Sequence, residues 1–105
     1  MKTNIGDTVS YLNEYGDKRL GIISEVASDM DSYEDMKLED GVPYYASKKL
    51  TAAENKRRKA SGKSVLTSPV YAPVKPKNMA SVFLVVDRGK WGEAFVYLDE
   101  VSVVG

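Results

Sequence analysis

The densest alternation of apolar and polar positions lies in residues 81–104, SVFLVVDRGKWGEAFVYLDEVSVV. Val82, Leu84 and Val86 alternate with Phe83 and Val85, which predicts a strand buried on both faces or sitting at a barrel closure. Asp87-Arg88-Gly89-Lys90 supplies turn chemistry, and residues 93–98 return with Phe95 and Tyr97 alternating against Ala94, Val96 and Leu98. After Asp99-Glu100, residues 101–104 offer a last strand. Near the other end, residues 7–12 alternate Val9 and Tyr11 against Thr8 and Ser10, and residues 13–17 are turn formers. Residues 19–27 place Leu20, Ile22 and Val26 on one face. All three are expected inward, since a slip of one residue would expose them together. Gly21 marks a point where the strand bends or another backbone comes close.

Between these ends the pattern changes. Residues 28–40 carry acids without a period of two and read as a long loop closed by a turn at Glu39-Asp40-Gly41. Residues 42–46, VPYYA, read as a short edge strand, because Pro43 argues against a central position. Residues 47–62 form the one good helix candidate. Thr51-Ala52-Ala53-Glu54 fits a capping box, Ser47 is an alternative cap one turn earlier, Lys56, Arg57, Arg58 and Lys59 suit the carbonyl end of the dipole, and Gly62 can end the helix. Its apolar residues, Leu50, Ala52, Ala53 and Ala60, make no wide stripe, so it is expected on the surface. Residues 65–67 predict a short strand, and the three prolines in residues 68–77 predict a stiff extended strap.

Five short antiparallel strands with a break before the last resemble the SH3-like small barrel, and within it the KOW and Tudor-like relatives. The residues that carry the resemblance are Gly6-Asp7-Thr8-Val9, then Gly21-Ile22-Ile23 after a turn, and the closing run from Phe95 to Val101. The likeness spans residues 6–27 and 80–104 and implies a mainly β, α+β fold. It would be a single domain, 1–105, in which residues 28–79 are an inserted loop, helix and strap, an arm far longer than the usual hairpin connection. The acidic, tyrosine-bearing motif of signalling SH3 domains has no match here, so proline-peptide binding is not implied.

Charge sharpens the division. The chain is neutral overall, yet residues 1–40 carry a net −6, residues 41–80 a net +8 and residues 81–105 a net −2. The basic island comprises Lys48, Lys49, Lys56, Arg57, Arg58, Lys59 and Lys63, followed by Lys75 and Lys77. Such a cluster neutralises phosphates, and Tyr44, Tyr45 and Tyr71 could stack on unpaired bases. KOW-like barrels often contact nucleic acid or its machinery, and the resemblance adds that expectation by analogy. The same charges suit an acidic patch on a protein, as in a small accessory or inhibitory protein of the kind bacteriophages use against host enzymes. A third reading is internal, with Asp29, Asp31, Glu34, Asp35, Glu39 and Asp40 folding back to neutralise the island. Trp91 is read mainly as the plug of one barrel end, and alternatively as a stacking platform or, with Tyr11 and Tyr15, an aromatic cage.

Composition narrows the chemistry. With no cysteine and no histidine, disulfides, thiolate metal sites and the common nucleophile–base pairs are unavailable, and a non-enzymatic protein without cofactor or metal is expected. The acidic loop fails the calcium template, with Tyr33 where an oxygen ligand belongs and Glu34 where glycine belongs. No apolar run approaches a membrane span and the first residues lack an apolar signal core, so a cytoplasmic protein with no membrane partner and no small-molecule substrate is the expectation.

Overall fold

The computed structural model describes residues 3–30 and 33–104. Its elements run β1 (Thr8–Leu12), β2 (Lys18–Ser28), β3 (Met36–Glu39), β4 (Val42–Ala46), α1 (Lys48–Ala60), β5 (Tyr71–Pro73), β6 (Val82–Asp87), β7 (Glu93–Tyr97) and β8 (Ser102–Val103). The architecture is mainly β. One antiparallel sheet has the order β7-β6-β2-β1-β8 and a second has the order β3-β4-β5. The first sheet stays open, with β7 and β8 as its two edges.

Strands β2 and β6 are direct neighbours, and the whole second sheet and the helix lie between them in sequence. The chain leaves and re-enters the main sheet at one neck, where the Asp29 amide donates to the Ser81 carbonyl at 3.3 Å and the Ser28 and Ser81 hydroxyls meet at 3.1 Å. The arm beyond the neck draws the molecule out to 56 × 25 × 24 Å, with a radius of gyration of 16.5 Å. A compact chain of this length would have a radius of roughly 13 Å.

One core nevertheless serves both sheets. Val9, Tyr11, Ile23, Val26, Val82, Leu84, Val86 and Val96 of the larger sheet cluster with Leu38 and Val74 of the arm, and Tyr33, Met36, Tyr45 and Met79 pack around them. Strand β6 is buried on both faces as its valines imply, save that Phe83 is only partly buried and Asp87 at its end is exposed.

Several expectations are corrected. Leu20 and Ile22 are 55% and 50% exposed, and it is Gly21, Ile23 and Val26 that face inward. A bulge between Ile23 and Glu25 shifts the register against β6, so residues an odd number apart share a face, which an unbroken alternation does not allow. Residues 36–39, expected in a loop, form β3, paired to β4 through a tight turn in which Asp40 and Gly41 take φ of 52° and 81°. That two-residue turn is the hairpin geometry that requires positive φ at both positions. Strand β4 is central in its sheet, not an edge. Pro43 is tolerated because it lies opposite Leu38, one pair beyond the turn-closing pair Glu39–Val42, where a two-residue hairpin needs no N–H from it. Its carbonyl accepts from the Val74 amide at 2.9 Å. Residues 65–67 are irregular, and the strap divides into β5 and a 3-10 turn, Pro76–Ser81.

Candidate nucleic-acid interface

Helix α1 begins at Ser47, whose hydroxyl accepts from the Leu50 amide at 3.1 Å, so the alternative cap is the one used. The expected capping box is corrected. Thr51 lies inside the helix, where its hydroxyl donates to the Ser47 carbonyl at 2.6 Å and accepts from the Val70 amide at 2.9 Å. The end is the expected glycine stop: Gly62, at φ 73°, donates to the Lys59 carbonyl at 3.1 Å, and Lys63 donates to that of Arg58 at 2.8 Å. Residues 63–70 run back along the helix, held by Leu66 N–H to Asn55 Oδ1 at 2.8 Å and by Arg58 Nε–H to the Ser64 carbonyl at 2.6 Å. No helix residue is buried.

The helix carries six bases and one acid. Lys49, Lys56, Lys59 and Lys63 are exposed, and Arg57, Arg58 and Lys59 occupy the last turn, where the carbonyl end of the dipole favours cations. The acidic stretch meets this island where Glu34 pairs with Lys48 at 3.3 Å. Three of its other carboxylates have partners elsewhere: Glu39 pairs with Lys37 at 3.0 Å, Asp35 accepts from Tyr71 at 3.0 Å, and Asp40 meets Asn4 at 3.4 Å. Arg57 pairs within the helix to Glu54. Asp31, also named for internal neutralisation, lies outside the described residues. Among the described residues no three carboxylates gather to hold a metal ion, and no helix is long and apolar enough to cross a membrane.

The tyrosines divide by face. Tyr45 stacks on Tyr33 with ring centroids 4.5 Å apart and packs against the core, which withdraws it from base stacking. Tyr44 and Tyr71 flank Lys37, whose Nζ lies 5.7 and 4.5 Å from their ring centroids. The hydrogen bond to Asp35, with desolvation and the carboxylate's charge adding to it, holds the Tyr71 phenol above its ordinary pKa.

Trp91 does not plug a barrel end. It sits in the 3-10 turn Gly89–Trp91 of the β6–β7 hairpin and is 73% exposed. Arg19, Leu20 and Arg88 join it around a surface cleft of about 410 Å³. The cage expectation also fails: Tyr11 is buried and Tyr15 stands 81% exposed, while two guanidinium groups beside the indole oppose a cationic guest. Sequence reasoning did not anticipate Arg19, Leu20 and Arg88 as companions of Trp91. The signal was Leu20, an apolar residue whose phase depends on the bulge.

A second surface feature lies on the outer face of β6 and β7. Phe83 and Phe95 meet edge-to-face at 5.8 Å, Tyr97 pairs across from Phe83, and Asp29 completes a shallow cleft of about 360 Å³. Phe95 is 71% exposed. The alternation put Phe95 and Tyr97 on one face, but only the pairing shows that this face is outward. Compared with known proteins, the chain matches no family model, no curated protein and no solved structure.

Proposed function

We propose that this is a non-enzymatic cytoplasmic binding domain that presents a basic helical arm to nucleic acid or to a nucleic-acid-processing protein. The observation that carries the reading is α1 itself: it bears six bases against one acid, buries no residue, and stands on an arm held at the Ser28–Ser81 neck. A helix that contributes so little to the core leaves nearly its whole surface free to meet a partner. Lys49, Lys56, Arg57, Arg58, Lys59 and Lys63 would neutralise phosphates and release counterions. In this reading the larger sheet is an open SH3-like barrel. Supporting that are its meander, the return of β8 beside β1, and the 3-10 turn Leu98–Glu100 before the last strand.

The test is binding of fluorescein-labelled random-sequence DNA and RNA by anisotropy at low salt, with a parallel pull-down from the host with and without nuclease. Salt-sensitive binding supports the reading. No detectable binding to either polymer, together with a stoichiometric protein that stays bound after nuclease treatment, replaces it with the accessory-protein reading. The observation favouring that second reading is the aromatic face of Phe83, Phe95 and Tyr97, bordered by Asp29 and by Glu25, the latter opposite Val85 in β6. Exposed aromatic side chains are common anchors of protein interfaces. In that case Phe95→Ser releases the captured protein, while reversing the charges of α1 does not.

A further inference from the structure

We propose that the cleft of Arg19, Leu20, Arg88 and Trp91 is a stacking pocket for an unpaired base of single-stranded nucleic acid, a second contact distinct from α1. The inference rests on the nucleic-acid reading and adds to it the form of the polymer and the residues that select it.

Three observations converge. Trp91 is the only tryptophan in the chain and is 73% exposed, so most of its indole is open to solvent and can be covered at no cost to the core. Stacking is the sequence-tolerant way to hold a base, and it needs the base out of a duplex. Leu20, 55% exposed and turned outward by the bulge, supplies an apolar wall. The cleft of about 410 Å³ falls within the range of ligand pockets.

The charges around the ring are of the sign that a phosphate requires. Among the described residues no carboxylate lines the cleft, and two guanidinium groups do. Arg88 is fixed in place by donating from Nη2 to the Trp91 carbonyl at 2.8 Å and to the Glu93 carbonyl at 3.4 Å, while its Nε is buried with no hydrogen-bond partner. Held in this way, the guanidinium keeps its positive charge at a fixed place beside the indole, so less entropy is lost when an anionic oxygen is drawn to it. Arg19 is freer: it donates to the Lys18 carbonyl at 3.3 Å, and its ion pair with Asp17 spans 3.7 Å between exposed groups, which a phosphate can displace. Lys90 adds a third cation, 5.3 Å from the indole centroid.

Position favours a flexible strand over a duplex. Asp87, which leads into the tryptophan turn, pairs with Ile22, whereas the neck of the arm lies at Ser28. Six residues of strand separate them by roughly 20 Å. A single strand can bend between this cleft and the arm, and linking two weak contacts raises overall affinity.

The lone tryptophan makes the experiment direct. An oligonucleotide of about 16 nucleotides, single-stranded or annealed to its complement, is titrated into the intact protein. Indole emission and anisotropy of a label on the oligonucleotide are followed together. The single strand is expected to quench Trp91 and the duplex to leave its emission unchanged. Trp91→Ala is expected to weaken single-strand binding about tenfold, and Trp91→Phe to recover part of that loss. Arg19→Gln is expected to lower the slope of log affinity against log salt by about 0.7 on the single strand. Binding by anisotropy with unquenched emission and unaltered affinity in Trp91→Ala overturns this inference and leaves the arm as the contact. Absence of any binding overturns both.

Discussion

A Cβ atom added to Gly21 would run into Val86 Cγ1 and come within 2.9 Å of the Asp87 carbonyl oxygen. Gly21 lies opposite Val9 in β1, and Val86 is fully buried at the centre of the larger sheet. The missing side chain is what lets β2 approach β6 this closely ahead of the bulge. Gly21→Ala is therefore expected to destabilise by about 1–3 kcal/mol, the usual range for overpacking. For a domain of this size each kcal/mol lowers Tm by roughly 4–8 °C. Pairing it with Val86→Ala removes the methyl it strikes, so the double variant should lose less stability than the two single losses combined. Additive losses in thermal melts would show that Val86 is not the obstacle.

The cap of α1 predicts an order among three substitutions. Ser47→Ala removes the acceptor of the Leu50 amide and should cost about 1 kcal/mol. Thr51→Val leaves the Val70 amide without its hydroxyl partner and should cost about 1–3 kcal/mol. Glu54→Ala removes only a partly exposed pair with Arg57 and should change stability by less than about 0.5 kcal/mol. Hydrogen exchange of the α1 amides reads these effects where they act, even where global unfolding is governed by the core. If Glu54→Ala proved as damaging as Ser47→Ala, the helix would be starting at Thr51.

These two cases also mark what was legible in the chain. The five strands of the larger sheet could be read because short runs of β-branched and aromatic residues are set off by turn formers, and Gly21 and Gly62 announced themselves because glycine has few other reasons to occupy such positions. The phase of Leu20 and Ile22 could not be read, because one extra residue at a bulge reverses it and leaves no mark in composition. Strand β3 was hidden for a related reason. Met36-Lys37-Leu38-Glu39 alternates over only four residues, and its stability comes from pairing with β4 and from Leu38 entering a core assembled mostly elsewhere. At the candidate site, the bases of α1 were plain in sequence. The companions of Trp91 were not, since Arg19 and Arg88 are far apart in the chain and meet only through the pairing of β2 with β6.

Tyr71 predicts a pH response of definite sign. Its hydrogen bond to Asp35 favours the neutral phenol, so its pKa is raised in the folded state. The folded protein then binds more protons than the unfolded chain between the ordinary tyrosine pKa and the raised one. The stabilisation is complete below the ordinary value and is lost as pH rises through the raised value. Subtracting the phenolate absorbance titration of Tyr71→Phe from that of the parent should reveal one late-titrating tyrosine, and Asp35→Asn should bring it back toward the ordinary range. A Tyr71 titration unmoved by Asp35→Asn would contradict the contact.

The unequal surroundings of the lysines and arginines in α1 give the most discriminating test of the arm. Arg57, Arg58 and Lys59 share the last turn, whereas Lys48 already faces Glu34 at 3.3 Å. If the arm contacts phosphates, changing Arg57, Arg58 and Lys59 together to glutamate removes up to three neutralised phosphates. The slope of log affinity against log salt should then fall by as much as about 2 on single strands, at about 0.7 per phosphate. Lys48→Glu should lower the slope by less per reversed charge, because that charge is partly satisfied within the protein. Arg58 also holds the Ser64 carbonyl, so the triple variant is compared with Arg58→Gln alone, which tests whether loss of that tether disorders the return segment. A slope reduced by Lys48→Glu by one third as much as by the triple change, the same amount per reversed charge, would mean that net charge, rather than the last turn of α1, governs binding, and the contact would then have to be sought elsewhere on the surface.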